Sequence, residues 1–417
     1  MSSRLLLKIA TSALLVTGVL TAPATAAGAD TAGLDRQELR RSLDAVVDAG
    51  MYGIYSHVRD GSRTWKGASG VADTQTRRPV SPDMVHRVGS ITKTFTAVAV
   101  LRQVARGTID LDAPIGRYLP DLFPDDRGDR ITVRMILNHT SHIANHTQVI
   151  FTTVESLEEN RFRRFAPAEL ARIGLDAPPT GEPGATPGVY SNTNYVIAGL
   201  LLEKVTGQDA EQYITRDVIR RAGLRHTSFP RTPVIPGPHS KGYESLLGTF
   251  DPPRDFSVYD MSWAGTAGAL VSTMEDLDQF YRALFRGKLL GAAELAEMQK
   301  TVPVLSGSIA IPYGLGLLAL DLPCGRFWGH TGGVWGMTTQ SLTSADGERQ
   351  NSFGVNLANY QTIDENGVIQ PSPIDYALAD HTLLTLCGPD SGARAKASRS
   401  PLLLPRLDGP AARPATS

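Results

Sequence analysis

Between Ile91 and Ala105 the chain is apolar nearly all round: Phe95, Ala97, Val98, Ala99, Val100, Leu101 and Val104 leave it almost no polar side, and it stops before Gly107. Such a segment has to be wrapped by other elements on every side, so the pattern predicts a buried core helix inside a layered domain. The 417 residues, 41% apolar and 20% charged, are enough to build that wrap and are neither disordered nor collagen-like in composition.

The rest of the chain supplies the layers. Helical spacing recurs at Arg36–Ala49, Tyr195–Val205, Thr273–Leu284, Ala292–Gln299 and Ile374–Leu386. Strand-like segments run over Tyr52–Val58, Thr64–Val71, Tyr313–Leu320, Arg326–Thr331, Met337–Leu342 and Phe353–Ala358. Residues 112–259 are rich in Pro and loops with helices between, which predicts a mostly helical domain inserted into an α/β domain made from 33–111 and 260–388.

The ends read differently. Arg4 and Lys8 precede the apolar run Ile9–Ala22, and Ala24-Thr25-Ala26 resembles a cleavage site, so residues 1–26 are expected to be a signal peptide and the product secreted. No later stretch is long and apolar enough to span a bilayer, so no membrane anchor is expected after cleavage. Residues 389–417 hold little to bury and are expected to be a disordered tail. A net charge of -1 gives no grip on nucleic acid or anionic lipid, which moves small substrates forward. In an oxidising compartment the two cysteines, Cys324 and Cys387, read by default as a disulfide, the alternative being two buried thiols.

Lipase-type G-x-S-x-G, H-E-x-x-H, paired C-x-x-C and P-loop motifs are absent. His139, His142 and His146 have no acidic or Cys ligand at metal spacing, so they read as solvated loop histidines; neither a metal nor an organic cofactor is expected. The positive signal is Ser90-Ile91-Thr92-Lys93 at the start of the core helix. A spacing of three puts hydroxyl and amine on one face, where a desolvated Lys can take the Ser proton and the helix N-terminus offers N–H donors to an oxyanion. Tyr190-Ser191-Asn192 adds a phenol for proton relay and an amide to orient a carbonyl. His330-Thr331-Gly332-Gly333 ends a strand.

With these motifs in this order the chain resembles the serine penicillin-recognising family of penicillin-binding proteins, class C β-lactamases and related esterases and D-peptide hydrolases. The likeness runs from about Leu43 to Cys387 and is nearest to the secreted Streptomyces-type D-alanyl-D-alanine carboxypeptidases. It includes Arg87-Val88-Gly89-Ser90, Tyr190-Ser191-Asn192-Thr193-Asn194, Ser262-Trp263, Tyr313-Gly314-Leu315-Gly316-Leu317 and Gly329-His330-Thr331-Gly332. The resemblance implies an α+β, β-lactamase/transpeptidase-like fold, with an antiparallel sheet flanked by helices and an inserted helical domain. It also implies a Cys324–Cys387 bridge and action on small peptides or β-lactams, with cell-wall peptidoglycan as a candidate partner; a monomer is the default expectation.

By the same resemblance, Ser90 is the nucleophile, Lys93 and Tyr190 move its proton, and the oxyanion lies between the N–H groups of Ser90 and Gly333. Asn192 and Trp263 would bind substrate, with His330, Thr331 and Gly332 lining the strand beside it. The implied activity is that of a D-alanyl-D-alanine carboxypeptidase-like hydrolase, with β-lactamase or esterase/amidase, or a slow penicillin-binding module, as alternatives. Two departures bear on this. The places where the carboxypeptidases hold a substrate carboxylate with Arg and Thr are Leu318 and Gly333 here, leaving Arg326 as the nearby candidate cation, and His142 replaces a Gly.

Overall fold

The computed structural model describes residues 34–389 apart from 124, 308 and 367. The predicted signal peptide, and the predicted tail beyond residue 389, lie outside the described residues. Helix α1 (Arg36–Asp48) starts at Asp35, whose carboxylate accepts from the N–H groups of Gln37 and Glu38, and it buries Leu39, Leu43 and Val46. Strands β1 (Gly53–Asp60) and β2 (Arg63–Gly70) form an antiparallel hairpin with Asp60 opposite Arg63.

The core helix is α2 (Thr92–Val104), entered through a tight 3-10 turn at Gly89–Ile91. Phe95 stacks on Phe280 with ring centroids 3.6 Å apart, and Val98, Val100 and Leu101 are sealed from solvent. Burying a side chain of this size contributes about 1.5–3 kcal/mol, which explains why an all-round apolar helix sits here and nowhere near the surface.

The main sheet has nine strands. After β3 (Gly188–Val189) come α3 (Asn192–Thr206) and α4 (Met274–Phe285). Then follow β4 (Val302–Ser306), β5 (Ile309–Tyr313), β6 (Leu318–Leu322), β7 (Gly325–Val334), β8 (Met337–Ser344), β9 (Arg349–Val355) and α5 (Pro373–Cys387). The spatial order is β2-β1-β9-β8-β7-β6-β5-β4-β3. Alternation along β1 splits the core in two: Ile54 and Val58 pack with α1 and with Ile374 and Leu378 of α5, while Tyr55 faces the cluster around α2.

The α+β fold with helices flanking the sheet is as expected, with three corrections. One pair in the sheet is parallel, Gly188 beside Val304 and Val189 beside Leu305, because β3 reaches the edge from the helical region rather than through a hairpin. The segment expected as one strand over Tyr313–Leu320 is the end of β5, a turn, and the start of β6. Gly316 makes that turn possible: it has φ 75°, and a Cβ on it would lie 2.6 Å from Ala97 and 2.8 Å from the Tyr195 hydroxyl. Likewise the Phe353–Ala358 strand ends at Val355, and Leu357–Ala358 pairs in parallel with Tyr243–Glu244 in a separate small sheet.

Cys324 and Cys387 are joined, with Cα atoms 5.4 Å apart, tying the β6–β7 turn to the end of α5. Among the described residues no helix is long and apolar enough to cross a membrane.

Candidate active site

Ser90 lies in the 3-10 turn that feeds α2, and two contacts of Thr92 pin that turn. Its hydroxyl donates to Gly89 O (2.7 Å) and accepts from Leu270 N–H (3.2 Å). One turn on, Lys93 is fully buried, with Nζ 3.0 Å from Ser90 Oγ, 2.6 Å from Asn192 Oδ1 and 2.8 Å from Ala267 O. The two carbonyl oxygens can only accept, so each takes an N–H whichever protonation state the amine is in. The contact with Ser90 alone can run either way, as N–H to hydroxyl oxygen or as hydroxyl to amine lone pair. That is the geometry a proton-accepting amine needs beside a nucleophile.

Asn192 is held for this by Asn145, whose Oδ1 accepts from Asn192 N–H (3.2 Å), and by Thr147 Oγ1, 3.4 Å from Asn192 Nδ2. The ring of Tyr190 packs beside the amine, its centroid 4.9 Å from Lys93 Nζ. Thus Ser90, Lys93, Tyr190 and Asn192, predicted from two separate stretches of sequence, meet in one place.

The strand side is built on backbone proximity. A Cβ on Gly332 would fall 1.9 Å from Val88 O and 3.0 Å from Ser90 N, and one on Gly89 (φ 53°) would fall 2.8 Å from Gly333 N. Only glycine allows β7 to lie this close to the turn that carries Ser90. Gly333 itself faces open space. His330 is fully buried; it donates from Nδ1 to Thr331 O and accepts at Nε2 from the Tyr313 hydroxyl (2.9 Å). Thr331 is buried beside it.

Burial dominates the local electrostatics, with the Lys93 charge adding to it. Burial first, and the Lys93 charge second, push His330 down to about 3. Burial takes His146 down to about 4, the Lys93 charge adding to it against a hydrogen bond to Trp263 O. Burial, Lys93 and His330 together hold His139 well below the usual imidazole range. These imidazoles are therefore neutral.

Other expected site residues are placed less directly. Trp263 is buried with its ring against Phe151 and Trp335 (centroids 5.5 and 4.9 Å), in the aromatic core beneath the Ala264–Ala267 segment that supplies Ala267 O. Leu318 is 2% exposed and packed in an apolar cluster with Tyr190, Tyr313 and Phe327, so no cation stands at that position. Arg326 does not substitute for it: its guanidinium is held bidentately by Asp321 (2.7 and 2.8 Å) at the exposed end of the β6–β7 hairpin. The cationic cavity of about 470 Å³ lined by Arg36, Arg40, His57 and Lys66 shares no residue with this centre.

The three clustered histidines are not solvated loop residues, as their spacing suggested; all are buried. His142 bonds Thr180 Oγ1 and Ala185 O, and His146 bonds Thr193 Oγ1 and Trp263 O. Among the described residues no group of His, Cys, Asp or Glu is gathered as a metal site. His142 has φ 56°, the left-handed conformation that a Gly adopts without strain.

A family profile described as Beta-lactamase matches residues 39–365. The chain belongs to the beta-lactamase family. Within it, a solved D-stereospecific amidohydrolase from Streptomyces sp. is 33% identical and superposes with a TM-score of 0.73 over 85% of this chain and 99% of that one. Esterase EstB of Burkholderia gladioli is 31% identical over 47% of this chain and 53% of its own length. Penicillin-binding protein 4* of Bacillus subtilis is 25% identical over 66% of this chain and 62% of its own. The chain thus spans about two fifths to three fifths of the curated relatives it matches.

Sequence reasoning missed Ala267 O, Asn145, Tyr313 and His139 as parts of this beta-lactamase-family centre. A backbone carbonyl carries no sequence signal. Tyr313 stood in a quoted motif and His139 among three clustered histidines, but their partners are reached only through the fold.

Proposed function

We propose that this chain is an exported active-site serine hydrolase that acylates Ser90 with amides and peptides of D-amino acids, the leaving side carrying no free carboxylate. The observation that carries it is Lys93 Nζ bridging Ser90 Oγ and Asn192 Oδ1, beside the close approach of Gly332 to the Ser90 turn. Ser90 Oγ attacks the substrate carbonyl while its proton passes to Lys93, and the oxyanion accepts from the Ser90 and Gly333 N–H groups. The C–N bond then breaks as the proton returns through Lys93 and Tyr190 to the leaving amine. Water attacks the Ser90 ester, giving the acid product and restoring the hydroxyl.

The substrate class follows from the strand wall, where apolar, buried Leu318 and the Asp321-engaged Arg326 leave no cation for a terminal carboxylate. The likeness to a D-stereospecific amidohydrolase supports the same reading. A second reading, D-alanyl-D-alanine carboxypeptidase, is favoured by Thr331 in the His-Thr-Gly strand. Export is supported by the predicted signal peptide and the Cys324–Cys387 bridge.

The test is an intact-mass time course with benzylpenicillin beside Ser90→Ala, followed by turnover of D- and L-alanine amides and of a D-Ala-D-Ala peptide. Ser90-dependent turnover of the D-amide above the D-Ala-D-Ala peptide is the expected result. A lasting penicillin adduct with peptide turnover favours the carboxypeptidase, and rapid penicillin hydrolysis a β-lactamase. Absence of any Ser90-dependent acylation overturns the proposal.

A further inference from the structure

We infer that His139 is a positioning residue for Tyr190, an inference that rests on the serine-hydrolase reading for its kinetic consequence. The imidazole is fully buried between the segments 139–145 and 189–194. Its Nδ1 lies 3.2 Å from Ser191 N and 3.2 Å from Asn194 Nδ2. Both partners donate, so Nδ1 accepts and the proton of the neutral ring sits on Nε2. Nε2 has no hydrogen-bond partner among the described residues.

A buried N–H without an acceptor is costly, and a His at φ 62° adds backbone strain. The rings around the imidazole show what is gained. Its centroid is 4.2 Å from that of Tyr190, 4.9 Å from Tyr313 and 5.4 Å from Tyr195. Tyr190 is the nearest, and the chain on either side of it is held by His139: Val189 N donates to His139 O (3.1 Å) and Ser191 N to His139 Nδ1. One residue therefore fixes the backbone before and after Tyr190 and packs against the ring between them.

The same turn carries the rest of the loop. Ser141 Oγ donates to Asn194 Oδ1 (2.6 Å), and Ser191 Oγ and Thr193 Oγ1 both donate to Ala144 O. His139 differs from these bonds in touching the aromatic ring itself. Its removal is expected to misdirect Tyr190 while leaving Asn192, tied to Asn145, in place.

The variant His139→Asn keeps an acceptor near Nδ1 and tolerates the left-handed backbone while removing the ring. The expected result is a kcat lower by about tenfold to a hundredfold with KM nearly unchanged, and a shifted pH–rate profile. In a Tyr190→Phe background the same change is expected to add almost nothing, because it acts through the phenol. Equal losses in both backgrounds overturn the inference.

Tetranitromethane nitration of Tyr190, read by peptide mass, needs no turnover. Slow nitration in the native chain and faster nitration in folded His139→Asn or His139→Gln support positioning, and unchanged nitration in both overturns it. Should Ser90 prove not to acylate at all, the nitration result still decides the place of His139, separately from the hydrolase reading.

Discussion

The two walls of the site are built differently. On the helix wall, Ser90, Lys93 and Asn192 are buried and cross-bonded by contacts of 2.6–3.0 Å, and the elements carrying them are stapled by Thr92, Asn145 and the His139 turn. On the strand wall, Gly333 looks into open space, Leu318 is turned into an apolar cluster and Arg326 is spent on Asp321. On the proposed reading, the side chains that would move protons are held by several constraints each, whereas substrate choice would be left to a few strand positions.

The comparison breaks most severely at Lys93. Lys93→Ala removes the proton acceptor and orphans Asn192 Oδ1 and Ala267 O, so a loss in kcat/KM of about a thousandfold or more is expected with a reactive ester, against a stability change measured by denaturant melt. Retention of a tenth of the activity would show that the helix wall is not the chemical one.

Next comes the junction of the walls. Gly332→Ala places a Cβ 1.9 Å from Val88 O, so β7 must withdraw from the nucleophile turn. About 1–3 kcal/mol of stability and most of the acylation rate are expected to go together, read by thermal melts and burst kinetics.

Acid should then separate the walls by charge. His330 and His146 have folded values of about 3 and 4, below the ordinary 6.5, so unfolding takes up protons. Their contribution is complete above about pH 6.5 and falls as pH drops toward those values, by about 1.4 kcal/mol per pH unit for each. Urea melts at pH 7, 6 and 5 should show that decline, and a flat profile would mean the two imidazoles are not buried neutral.

A smaller change sharpens the strand wall. Gly333→Thr fits without clash and is expected to raise preference for a carboxylate-ended D-peptide over its amide by about tenfold, the worth of one charge-assisted hydrogen bond. Smallest of all, Arg326→Ala should leave kcat/KM for that peptide within about twofold, since its partner is a solvent-exposed Asp321.

Much of this was legible because it is local. The Ser90–Lys93 spacing, the all-round apolar helix behind it and the alternation in β1 each follow from the period of one element. Leu318 as a missing cation was legible too, once the strand motif around it was aligned by resemblance. Less visible were features whose cause lies far along the chain: the break at Gly316 exists because α2 and Tyr195 crowd that turn, and Leu357–Ala358 leaves the sheet because Tyr243–Glu244 offers it a parallel partner.

By itself the sequence determined which side chains can do the chemistry and on which helix face or strand end they stand, since periodicity and spacing are properties of the chain. Only the tertiary structure decided that Asn192 and Ala267, 99 and 174 residues from Lys93, supply the acceptors that hold its amine. It alone turned three apparent loop histidines into buried ones and sealed Leu318 inside an apolar cluster. Burial and charge proximity are set by what packs against a residue, and packing partners distant in sequence leave no local pattern to read.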